Sequence, residues 1–163
     1  MALTTSAAVL TRLFNNNHHI LHQQVKDINQ EESLVQPPFR GNCLNWVVGH
    51  ILGVYGECLE VMGMPGTQNE AEVKTYGYGS EPLTGCAKAG DLLEMLHRLD
   101  EGLERITLQL ANMSGTELER EVTIWLGSVS LIEALYVMQW HASYHTGQLE
   151  LLRQLAGKND KVI

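Results

Sequence analysis

Four stretches of this chain repeat apolar residues at steps of three and four, and Pro and Gly break the chain between them. That spacing puts each apolar set on one helical face, which must be buried against another. The first stripe, Leu3, Ala7, Leu10, Phe14, Leu21, Val25 and Ile28, predicts a helix from about Thr4 to Ile28. It breaks in the polar run from Asn29 to Ser33, and Pro37-Pro38 forbids continuation. A second helix is expected from about Asn42, a good N-cap residue, to Met62, with Gly63 and Pro65 as its stop. The third covers about Lys88 to Ala111, on the stripe Leu92, Leu96, Leu99, Leu103, Ile106 and Leu110.

The last helix has the best-marked ends. Ser130-x-x-Glu133 is a capping-box pattern, and Gly157 stands where a glycine closes a helix. The connection from Gly63 to Ala87 carries five glycines and prolines beyond Pro65 and is too long for a bare loop. It is expected to be a lid or a partly ordered crossover. Ser114-Gly-Thr-Glu117 should begin a short turn, and the alternation from Glu121 to Leu126 reads as extended. Four helices in 163 residues make an all-α four-helix bundle the economical fold, one domain over residues 1–163.

Composition excludes several functions. With 44% hydrophobic and 18% charged residues the chain is not of the disordered class. A net charge of −8, with 11 scattered Lys and Arg, disfavours nucleic acid and anionic lipid as partners. No apolar run approaches the roughly 20 residues that span a bilayer. Met1-Ala-Leu-Thr-Thr has no basic n-region or apolar core of a secretory signal, so a cytoplasmic protein is expected. Cys43, Cys58 and Cys86 form no CxxC pair and are expected to be buried or half-buried thiols in a reducing compartment.

Chemistry concentrates in the seven histidines. His141 and His145 are an i,i+4 pair within the last helix, so both rings leave one face, a spacing at which two imidazoles chelate one ion. A third ligand must come from another helix. His50 is the best candidate, in the apolar segment Trp46-Val-Val-Gly-His50-Ile-Leu. Gly49 beside it costs helix propensity of about 1 kcal/mol and implies that something approaches closely there. Singly, each ring is more simply a hydrogen-bonded core histidine. Together, three neutral imidazoles buried in one bundle without partners would cost several kcal/mol, which a metal removes.

His18 and His22 make a rival i,i+4 pair, but their neighbours from Asn15 to Gln24 are so polar that a mainly solvated face is expected. Asn17 or His18 can still turn inward, to line a pocket or support a ligand. His97, flanked by Arg98 and Asp100, belongs on the surface. Trp46 and Trp140 are expected to pack in the core, with a wall of the metal pocket as the sharper role for Trp46. Tyr144 should pack off the chelating face. Gln148, one turn past His145, is placed to support that ligand. Glu57, two turns past His50, is a weak candidate base, because Ala142 stands where HExxH zinc enzymes carry their glutamate.

The segments Asn45-Trp-Val-Val-Gly-His50-Ile and His141-Ala-Ser-Tyr-His145-Thr-Gly-Gln148-Leu resemble those of the DinB/YfiT-like family, a metal-binding four-helix-bundle family distinct from the DNA polymerase of similar name. The resemblance runs over nearly the whole chain. It implies an up-down-down-up bundle, and a zinc or nickel ion on His50, His141 and His145 with water completing the shell. It also implies a homodimer. Family members include metal-dependent transferases that use bacillithiol or related low-molecular-weight thiols, and mycothiol-dependent isomerases. The function expected from the resemblance is thiol S-transfer to small electrophilic substrates. The alternatives are a non-catalytic metal-binding stress-response protein, a metal-dependent hydrolase, and a bundle whose histidines never bind metal.

Overall fold

The computed structural model describes residues 6–83 and 85–163, the side chain of Cys86 excepted. Leu3 and Thr4, assigned above to the first helix, lie outside the described residues. Among the described residues, seven helices and one hairpin follow in order. They are α1 (Ser6–Val25), α2 (Gln30–Ser33), α3 (Leu44–Val61), α4 (Glu70–Tyr76), α5 (Leu92–Asn112), α6 (Gly115–Leu118), β1 (Glu121–Ile124), β2 (Gly127–Ser130) and α7 (Leu131–Leu155). A 3₁₀ turn, Cys86–Lys88, precedes α5.

The four long helices are those the stripes predict, with different ends. Helix α1 stops at Val25, short of Ile28, and Asp27 turns the chain with a positive φ of 60°. The polar run after it is not simply a break: Asn29 and Glu32 form a reciprocal capping box that winds Gln30–Ser33 into one turn. Asn42 is not the N-cap of α3. Cys43 takes that position with no side-chain cap, and Asn45 inside the helix donates to Gly90 O at 2.9 Å. Helix α5 begins at Leu92 rather than Lys88 because Asp91 caps it, accepting from the Glu94 N–H. Ser130 caps α7 as expected. Gly157, at φ 87°, closes it with Gly157 N–H to Gln154 O and Lys158 N–H to Arg153 O, the paired bonds of a Schellman end.

Cross-helix hydrogen bonds fix the directions. The start of α7 meets the start of α1 through Tyr136 Oη and Ser6 O (3.1 Å), and the end meets the end through Arg153 and Gln24 O (3.3 Å). These two helices are parallel. Asn45 on Gly90, and Arg105 on Pro65 O at 2.6 Å, likewise make α3 and α5 parallel. Gln30, just past α1, accepts from the Leu92 N–H at the start of α5, so α1 and α5 are antiparallel. The bundle is therefore up-down-down-up. Each long helix packs on two others, α1 and α3 each against α5 and α7. The core between them holds Leu10, Phe14, Leu21, Tyr55, Leu99 and Leu149, all fully buried.

The long connection is a partly ordered crossover. It carries α4, capped by the Asn69–Glu72 box, and lies on α3 because three glycines there leave no side chain in the way. A Cβ on Gly49 would stand 2.5 Å from the Tyr76 ring, on Gly53 2.8 Å from Gln68 Oε1, and on Gly56 2.8 Å from Thr67 Oγ1. Glu121–Ile124 is extended as predicted, and pairs with Gly127–Ser130, a strand that the sequence pattern does not mark. Of the cysteines, Cys43 and Cys58 are buried free thiols. The side chain of Cys86 lies outside the described residues. No helix among the described residues is long and apolar enough to cross a membrane.

Candidate metal centre

Helix α3 supplies His50 and α7 supplies His141 and His145, one turn apart. Their three Nε2 atoms converge. His50 Nε2 is 3.3 Å from His141 Nε2, which is 3.0 Å from His145 Nε2. Four ligands placed tetrahedrally about a zinc ion, at the usual Zn–N length, lie about 3.3 Å apart. The group is thus of a size that could hold one metal ion.

The opposite ring atoms decide what those Nε2 atoms offer. His50 Nδ1 lies 2.7 Å from the Tyr76 carbonyl, which only accepts, so the proton sits on Nδ1 and Nε2 keeps its lone pair. His145 Nδ1 donates likewise to Gln148 Oε1 at 2.8 Å. Two bare lone pairs therefore face the third ring, which has at most one N–H to give them through Nε2. His141 Nδ1 is itself buried without a hydrogen-bond partner. Hydrogen bonds within the trio do not satisfy this arrangement, whereas a shared cation does. The donor set fits a divalent metal.

Burial tunes the rings in the same direction. Desolvation lowers the pKa of His50 against the opposing Tyr76 carbonyl, and lowers that of His141 with help from the charge of His50. His145 is pushed down to about 4, first by desolvation and then by the other two rings, with Gln148 opposing. All three rings are neutral near pH 7, the form in which an imidazole can bind a metal.

The supporting side chains only partly follow the sequence expectations. Trp46 is buried and stacks on His50, with centroids 4.9 Å apart and planes 12° apart. Its Nε1–H donates to Thr75 O and Ser80 Oγ. It backs the His50 ring rather than lining the cavity. Trp140 and Tyr144 are not core residues: they are 66% and 58% exposed, on the α7 face that borders the site. Helix α7 turns its inner side to α1 and α3 through Ala142 and Leu149, which leaves positions 140 and 144 on its open flank. Tyr144 stands edge-on to His145, centroids 5.0 Å apart.

A cavity of about 780 Å³ opens beside His50 and His141, walled by Val54, Tyr76, Trp125, Trp140 and Tyr144. Glu57 lines it as well but is exposed; partial desolvation at the cavity, then the charge of Glu60, raises its carboxyl pKa.

Asn17 and His18 are buried but line neither the cavity nor the trio. Of the solvated face expected for His18 and His22, His22 stays partly exposed, while His18 turns inward, the alternative the sequence allowed. Both turn their Nε2 atoms onto Asp100 of α5, because α1 packs its polar flank against that helix. His97 is on the surface, within 3.6 Å of Glu101. Two contributors went unread in the sequence. The Tyr76 carbonyl belongs to backbone and has no residue signature, though Gly49 marked the close approach. Trp125 sits in the two-residue loop of the hairpin, its ring 5.5 Å from that of His141.

The family model described as the DinB superfamily matches residues 13–149, a span that includes all three histidines. The chain is also similar to a conserved protein from Enterococcus faecalis of known crystal structure. The TM-score is 0.73 at 12% identity, over 95% of this chain and 98% of that one. At that identity the likeness speaks for the fold. No curated protein matches the chain significantly.

Proposed function

From a chain that belongs to the DinB superfamily, we propose a divalent-metal protein that holds zinc or nickel on His50, His141 and His145 and transfers a low-molecular-weight thiol to a small electrophile. One observation carries the reading. Three Nε2 atoms meet at 3.0 and 3.3 Å, two of them held as bare lone pairs by Tyr76 and Gln148, beside an open cavity. Imidazole ligands suit both metals. A divalent ion held there by three neutral ligands supplies Lewis-acid chemistry, lowering the proton affinity of a thiol or water that shares the site.

The chain's own groups do the rest. Trp125, Trp140 and Tyr144 give the electrophile an apolar wall and exclude water from one side. Glu57, with its raised carboxyl pKa, is the proton acceptor for the thiol in this reading. The thiol sulfur forms a bond to the electrophilic carbon, whose bond to its leaving group breaks. The leaving group departs with the electron pair, and the thiol proton passes to Glu57 and then to solvent. A homodimer belongs to the same proposal, supported by the exposed apolar stripe of Trp140, Tyr144, Leu151 and Leu155 along α7. Wild-type protein is expected to sediment as a dimer and Leu151→Glu as a monomer.

Elemental analysis of protein purified without a histidine tag tests the premise. His141→Ala is expected to lose one equivalent of metal. An unchanged metal content would remove the proposal. Incubation with a panel of thiols and a chloronitrobenzene then separates enzyme from binder. Thiol consumption above the His50→Ala control is expected. Its absence with every thiol leaves a non-catalytic metal-binding protein.

A further inference from the structure

The chain has a second set of ligand-type atoms. His18 and His22 sit one turn apart on α1, the same spacing as His141 and His145 on α7. Their Nε2 atoms lie 2.7 and 2.8 Å from a single oxygen, Asp100 Oδ1 of α5. The two imidazole rings are 4.6 Å apart between centroids, and the three donor atoms all fall within 4.8 Å of one another. The site grades from the core outward, with side chains 11%, 35% and 56% exposed for His18, His22 and Asp100. Its outer side is therefore open to water.

Two imidazoles and one carboxylate are the donor set of many catalytic zinc sites and of non-haem iron centres. Such a ligand needs its coordinating nitrogen bare and its other nitrogen satisfied. As the rings stand, each Nε2 lies at hydrogen-bond distance from Asp100 Oδ1, which only accepts, so an ion would displace the two N–H protons. The His18 Nδ1, 3.5 Å from the buried Tyr55 hydroxyl, can then carry the proton and donate to it. Asp100 supplies the negative charge that the three-histidine group lacks.

We propose that His18, His22 and Asp100 form a second divalent-metal site, independent of the first, with water in its remaining positions. An ion there would join α1 to α5, two helices that share no ligand in the three-histidine group. The competing account is a metal-free latch, in which both imidazole N–H groups donate to Asp100.

Zinc titration of the chain carrying His50→Ala and His141→Ala distinguishes them, because the first site is gone whatever its role. One equivalent of zinc is expected to bind, with a Tm that rises with zinc concentration. Adding His22→Gln, or Asp100→Asn, is expected to abolish both. The asparagine keeps a hydrogen-bond acceptor but removes the charge, so it spares a latch and disables a metal site. If the double variant does not fold, the same count is made in the wild type, which is expected to fall from two equivalents to one on His22→Gln. No zinc in the folded double variant would overturn the proposal, as would only one equivalent in the wild type or binding unchanged by both substitutions. Any of these leaves the three-histidine reading standing, since that is tested by His141→Ala alone.

Discussion

The three histidines differ in how firmly they are held. His50 and His145 each have an oriented Nδ1, on Tyr76 O and Gln148 Oε1, whereas His141 Nδ1 has no hydrogen-bond partner. Removing the amide of Gln148 frees one ring to rotate, and partners of this kind are worth about 10–100-fold in metal affinity. Gln148→Ala is therefore expected to weaken metal binding by that factor in a competition titration, with the helical circular dichroism unchanged. The lowered histidine pKa values set a pH dependence with a definite sign. Unfolded, each ring takes up a proton near 6.5, but in the fold His145 resists until about 4 and the other two are also depressed. Between those values the unfolded chain binds more protons, so stability falls as pH falls. In the presence of a chelator the urea midpoint is expected to decline as pH drops from about 6.5 toward 4. A midpoint that stays level through that window would contradict the burial argument.

At the scale of elements, the crossover between α3 and α5 builds one wall of the site. Gly49 lets the Tyr76 ring lie on α3, which brings the Tyr76 carbonyl to His50. The Tyr76 hydroxyl donates to Asn45 Oδ1 and accepts from the Gly90 N–H, so both ends of that residue are pinned. Arg98 reinforces the crossover through two bonds to Glu72 and one to Thr67 O. Gly49→Ala gains about 1 kcal/mol of helix propensity but drives a methyl into the Tyr76 ring, an overpacking cost of about 1–3 kcal/mol. Its expected outcome is a net loss of stability with a weaker metal site, measured by thermal melting and metal titration on one preparation. Retained metal affinity would mean that the Tyr76 carbonyl does not set the His50 ring. The hairpin acts on the other side. Its two-residue loop presents Trp125 to His141, and Leu131 N–H bonds back to Arg120 O so that β2 runs straight into α7.

For the whole molecule, the three-histidine group bridges α3 and α7, two of the four long helices. A ligand bound by the folded chain and not by the unfolded one stabilises it by mass action, about 2.7 kcal/mol at a free concentration of 100 times Kd. Metal addition is thus expected to raise Tm in a concentration-dependent way, and His145→Ala to remove the part of that response that belongs to the three-histidine group. The core sets the baseline beneath it. Leu99 is fully buried between the helices, and Leu99→Ala is expected to lower stability by about 2–5 kcal/mol, read from the urea midpoint.

Local periodicity is a backbone property, and so the sequence alone determined the four long helices, their apolar faces and the i,i+4 pairs. Caps written in short-range side chains, Ser130 and Gly157, were equally legible. His50 was legible as a partner for the His141–His145 pair because it lies in an apolar stretch of helix that must be buried, and Gly49 marked a close approach beside it. What only the tertiary structure decided are contacts between distant segments. The Tyr76 carbonyl on His50 and the Trp125 ring at His141 depend on how a loop and a hairpin fold back, which no periodicity encodes. Which of His18 and His22 turns inward, and onto what, was undecided in the sequence for the same reason. Their polar neighbours describe the helix itself, whereas Asp100, which holds both rings, arrives from another helix some eighty residues later.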